Sequence, residues 1–125
     1  MSILRTIVFS VLSLLPSGAA FAHDNPLHTF ASCAGRLSAV MEHQWLMSDP
    51  NADRTEDQRA AMLSLVDAIM APDQGRDVLA WRIEAKQAHA VLLTRATFNA
   101  DSEDATWALQ RAQTELAACT GLLLS

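Results

Sequence analysis

Residues 26–48 read PLHTFASCAGRLSAVMEHQWLMS, and the way this stretch winds decides the fold. Pro26 suits the first turn of a helix, where its missing N–H costs nothing. Asp49-Pro50 stops the pattern, so the spacing predicts a helix from about Leu27 to Ser48. At 100° per residue, Leu27, Phe30, Cys33, Ala34, Leu37, Val40, Met41 and Met47 share one broad face. Trp45 lies at its edge, while His28, Arg36, Glu42 and His43 point away or lie along the margins. Cys33 lies on this core stripe, and the chain holds one other cysteine, Cys119.

Three further helical segments lie between and around these cysteines. The second opens at Thr55, where Thr55-x-x-Gln58 reads as a capping box. It carries Met62, Leu63, Val66, Ile69 and Met70 inward and stops at Pro72. The third runs from Asp73 as N-cap to Phe98, with a main stripe of Val78, Trp81, Ala85, Ala88, Leu92 and Ala96. A second stripe of Leu79, Ile83, Ala90 and Leu93 lies beside it. The fourth begins near Asp101-Ser102, turns Ala105, Ala108, Leu109, Ala112, Leu116 and Cys119 inward, and has Gly121 as its stop. Tyr is absent and Ala abundant, which favours helix over sheet. The expectation is an all-α, antiparallel, up-down-up-down four-helix bundle with short connectors. In that order the start of the first helix meets the end of the last, where a Cys33–Cys119 disulfide would join them.

The segment before this domain reads as an export signal, cleaved after residue 22. Arg5 supplies its positive start, Ile7 to Leu15 an apolar run, and Pro16-Ser17-Gly18 a break. Ala20-Phe21-Ala22 fits the small-x-small cleavage pattern. That leaves one domain over residues 23–125, exported, periplasmic in a Gram-negative host and otherwise extracellular, with no membrane attachment once the signal is removed. An oxidising compartment agrees with an even number of cysteines outside any C-x-x-C pair. The net charge is −5 and the cations are scattered singly, which argues against a nucleic-acid partner.

Chemistry is sparse. No nucleophile elbow, H-E-x-x-H or phosphate loop occurs, so no catalytic residue is assigned. The acids Glu42, Glu84 and Glu115 read as isolated on helix flanks. His89 falls on a core stripe at about the level of Met41, Gln44 and Met62, a soft donor set suited to copper or a haem iron. The plainer expectation is that His89 hydrogen-bonds Gln44 or a carbonyl while the methionines fill space. His43 and Met47 share a helix side near Trp45, and Asp49 to Asp53 imitates the start of a calcium loop. Arg54 and Ala60 stand where that loop needs Gly and Glu. A non-enzymatic binding or accessory protein without a cofactor is therefore the first expectation, and a copper or haem carrier using His89, Met41 and Met62 is the alternative. The outer strip of the third helix, Leu79, Ile83 and Ala90, is the expected surface for another exported protein or a second copy.

Protein recovered from the exported fraction should have an intact mass lacking residues 1–22. A mass that retains them would remove the basis for both the compartment and the disulfide.

Overall fold

A computed structural model describes residues 25–124, and the expected signal at residues 1–22 lies outside them. The described chain forms α1 (Pro26–Leu46), α2 (Ala52–Ile69), a 3-10 turn (Pro72–Gln74), α3 (Gly75–Phe98) and α4 (Ser102–Leu122), with no strand among the described residues. Asn25 caps α1, its Oδ1 accepting from the Leu27 and His28 amides at 3.1 and 3.4 Å. Asp101 caps α4 in the same way through the amides of Glu103 and Asp104. Such caps satisfy amides that have no partner inside the helix.

Two helix starts and one end differ from expectation. α2 begins a turn early, because Asp49 accepts from the Asn51 amide and closes a tight turn before Ala52. Thr55 is consequently inside the helix, where its hydroxyl donates to the Asn51 carbonyl instead of capping. Asp73 lies in the 3-10 turn rather than capping α3; there Gln74 accepts from the Ala71 amide at 2.8 Å. Gly121 does not stop α4, which runs on to Leu122.

The buried helix is α1. Eleven of its residues, from Leu27 to Met41, are buried, whereas α3 buries only Val78 and His89. Small side chains explain this. Ala31, Ser32, Ala34, Gly35, Ser38 and Ala39 occupy little space on every side, so neighbours approach α1 all round. α1 packs most extensively on α3 and then on α2, while α4 packs on α3 and meets α1 over a smaller area. α3, with its two apolar stripes side by side, is open on one side.

Cys33 and Cys119 are bonded, with Cα atoms 5.4 Å apart, and join α1 to α4. Around them pack Ala34, Leu37 and Met62, all fully buried. A second cluster of Leu27, Ala31, Val66 and Val78 closes the other part of the α1–α2–α3 contact. The bridge spans 86 residues, for which chain entropy predicts about 4–5 kcal/mol of stabilisation at most. Met47, Ile69 and Leu109, expected inside, are each 45% exposed or more. α2 and α4 have fewer packed neighbours than α1, so their buried stripes are narrower than full enclosure would require.

A methyl group at Gly35 would lie 2.2 Å from the Arg82 carbonyl oxygen, which is backbone and has no rotamer to escape through. Gly35→Ala gains about 1 kcal/mol of helix propensity but must push α1 and α3 apart, at about 1–3 kcal/mol for overpacking. The variant should melt roughly 4–8 °C lower. A raised melting temperature would show that the two helices do not need this approach.

Candidate functional site

Glu115 of α4 gathers the buried polar chemistry. Its Oε1 accepts from Arg111 Nε at 2.9 Å, one helical turn back on the same face. Its Oε2 faces His89 Nδ1 at 3.3 Å and Arg36 Nε at 3.8 Å. Arg36 also points Nη1 at Cys119 Sγ, 3.8 Å away, so the cluster sits beside the disulfide. An ionised carboxylate only accepts, hence Nδ1 carries the imidazole proton and Nε2 presents a lone pair. That Nε2 is buried and has no hydrogen-bond partner among the described residues.

Burial holds His89 below the ordinary imidazole value of 6.5, outweighing the upward pull of the Glu115 hydrogen bond and charge; Arg36 adds to the lowering. For Glu115 burial acts upward, but hydrogen bonds from Arg111 and His89 and the charge of Arg36 together carry its carboxyl below the ordinary 4.5. At neutral pH the pair is therefore a neutral imidazole donating to a carboxylate.

The three residues expected to hold a metal have different surroundings. Met62 is enclosed with Leu37 and the disulfide. Met41 lies beneath a surface groove between α2 and α3. His89 pairs with Glu115. No group of three or more His, Cys, Asp or Glu side chains among the described residues is placed to hold a metal ion. The expected His89–Gln44 or carbonyl bond is replaced by the carboxylate, and Gln44 Oε1 is itself buried without a partner. Glu115, read as isolated, is the hub. Its i,i+4 spacing from Arg111 was the available signal, but Arg36 and His89 arrive only through tertiary packing.

The α3 strip is divided. Leu79 and Ile83 are 52% and 47% exposed and wall the groove whose floor is Gly35, Ser38 and Met41 of α1. Arg59 of α2 stands opposite. Ala90 is half-buried and lines another groove, with His43 and Leu46 of α1 and Leu93 of α3. Beyond it the ends of α1 and α3 and the start of α4 expose Trp45, Leu46, Met47, Phe98 and Trp107. Arg95 stacks over the Trp107 ring at 5.1 Å and pairs with Asp104. His43 meets Phe98 edge-on and bonds Thr97.

No family model, no curated protein and no solved structure matches this chain.

Because the folded state keeps His89 neutral while an unfolded imidazole protonates near 6.5, its contribution is full above that pH. It is lost as pH falls from there through the lower folded value. Glu115 adds a second loss below 4.5. Melting temperature should accordingly drop between about pH 7 and pH 5, and His89→Gln should melt lower at neutral pH with a flatter slope over that range. Equal slopes in the two proteins would remove His89 as the source.

Proposed function

We propose that this chain is a small exported binding or accessory protein that acts by surface contact and not by catalysis. The observation that carries this reading is the pair Leu79 and Ile83, adjacent on one face of α3 and half exposed although the helix has an apolar interior to pack against. Large apolar side chains grouped on an open face are unfavourable in water unless another surface covers them. The partner in this reading is another exported protein or a second copy.

Export belongs to the same proposal, with residues 1–22 as the cleaved signal and the disulfide as support for an oxidising compartment. Among the described residues no helix is long and apolar enough to cross a membrane. The up-down-up-down order of the helices is also part of it. It is supported by Ser38 meeting Arg59, Cys33 meeting Cys119 and Arg95 meeting Asp104, pairings that link the later part of one helix with the earlier part of another.

A copper or haem carrier is the competing reading, and His89 Nε2, buried with a free lone pair, is the observation in its favour. Met41 and Met62 lend it little, being committed to the groove floor and the disulfide core. Stoichiometric copper or a Soret band in protein purified from its native host would displace the binding reading.

A photo-crosslinking residue at position 83, introduced in the native host, should give a discrete adduct that Leu79→Glu abolishes. Ile83→Glu itself should change stability by only about 0.5 kcal/mol, as is usual for an exposed site. Adducts at position 83 no different from those at exposed Thr114, or a collapse of the melting temperature in Ile83→Glu, would overturn the contact surface.

A further inference from the structure

The groove between α2 and α3 carries a charge imbalance that the fold does not use. It encloses about 170 Å³ over Gly35, Ser38 and Met41. Three of the chain's nine cations, Arg59, Arg82 and Lys86, line it, although the protein as a whole is acidic. Glu42 is its one lining carboxylate, and Lys86 holds that group at 2.7 Å. Arg59 lines the groove from α2 and Arg82 from α3, and neither makes an ion pair among the described residues.

Arg59 is held through its side chain and Arg82 through its backbone. Arg59 donates from Nε to Ser38 Oγ at 2.7 Å, and Ser38 in turn donates to the Ala34 carbonyl at 2.9 Å. That fixes the stem of the guanidinium and leaves its outer nitrogens for another acceptor. Arg82 sits where α3 lies against Gly35, its carbonyl in the space that any larger side chain would fill. Two arginines lining a common groove carry like charge, and an anion lying between them would accept charge-assisted hydrogen bonds from both. The remaining wall is apolar, made by Leu79 and Ile83 over Met41.

We propose that this groove binds a small organic carboxylate with a short aliphatic chain. Its head is clamped between Arg59 and Arg82, and its chain lies along Leu79, Ile83 and Met41. Size favours a small molecule over a protein segment. The space is comparable to cavities of about 150 Å³ that hold one benzene, whereas a helix with its side chains is about 10–12 Å across. Charge favours a carboxylate over an alcohol or amine, and the apolar wall favours an alkyl chain over a bare inorganic ion. This site goes beyond the contact surface proposed above and needs no partner protein.

Calorimetric titration of the whole disulfide-bonded protein with sodium octanoate tests it, with octan-1-ol and acetate as controls. Octanoate should bind with a Kd of about 1 mM or tighter, and both controls at least about tenfold more weakly. Arg59→Gln and Arg82→Gln should each weaken octanoate about tenfold, the usual effect of losing one charged hydrogen bond. Their helical circular dichroism should be unchanged. Amide shifts on titration should cluster at Ser38, Leu79 and Ile83. Absence of binding up to about 10 mM, equal binding of octanol, or indifference to Arg82→Gln would each overturn the proposal. These readouts use the isolated protein, so their failure leaves the crosslinking result at position 83 untouched, and the converse also holds.

Discussion

The backbones of α1 and α3 meet at Gly35, and most of the architecture follows from that approach. With no Cβ at this point, the Arg82 carbonyl can lie where a side chain would otherwise stand. The helix that results is enclosed by its neighbours, yet it contributes few large side chains of its own. Dense packing here comes from small residues set close together, and dispersion contacts accumulate between backbone and side chain as they do in any tightly filled interior. The same approach sets the floor of the groove between α2 and α3, so one packing constraint determines both the core and a surface feature.

A second constraint lies where α4 joins this core. The disulfide ties α4 to α1 in a region where their helical contact is otherwise modest. Beside it Glu115 draws together Arg36, Arg111 and His89, one group from each of α1 and α3 and one from its own helix. The cation pair lets a partly buried carboxylate stay charged, and the carboxylate fixes the imidazole tautomer. The buried Nε2 of His89 is an unsatisfied acceptor, a group that costs about 1–3 kcal/mol in an apolar setting. A polar cluster packed against a covalent bridge therefore helps to locate α4 and contributes to the pH dependence of the domain's stability.

The outer surface is uneven. Apolar exposure concentrates along Leu79 and Ile83 and at the end formed by Trp45, Leu46, Met47, Phe98 and Trp107. These regions differ in chemistry. The first shares its groove with two arginines that make no ion pair among the described residues, while the second is braced by Arg95 over Trp107 and its pairing with Asp104. The cations of an acidic protein are thus used locally, where a few positive groups have an effect that the net charge hides.

The sequence by itself determined the four helices, because periodicity, proline breaks and capping residues act within a turn or two of chain. It also determined the pairing of Cys33 with Cys119, since two cysteines on inward stripes admit one bridge. It placed His89 inside, and the half-exposed strip at Leu79 and Ile83 follows its second stripe on α3. Tertiary structure decided which helix is buried. Periodicity shows inward stripes on α1 and α3 alike, but the small residues of α1 allow closer approach from all sides. Tertiary structure likewise decided that His89 meets Glu115 rather than Gln44, and that Ala90 belongs to a different groove from Ile83. Those outcomes depend on the rotation and separation of whole helices, which residue spacing along one helix does not encode.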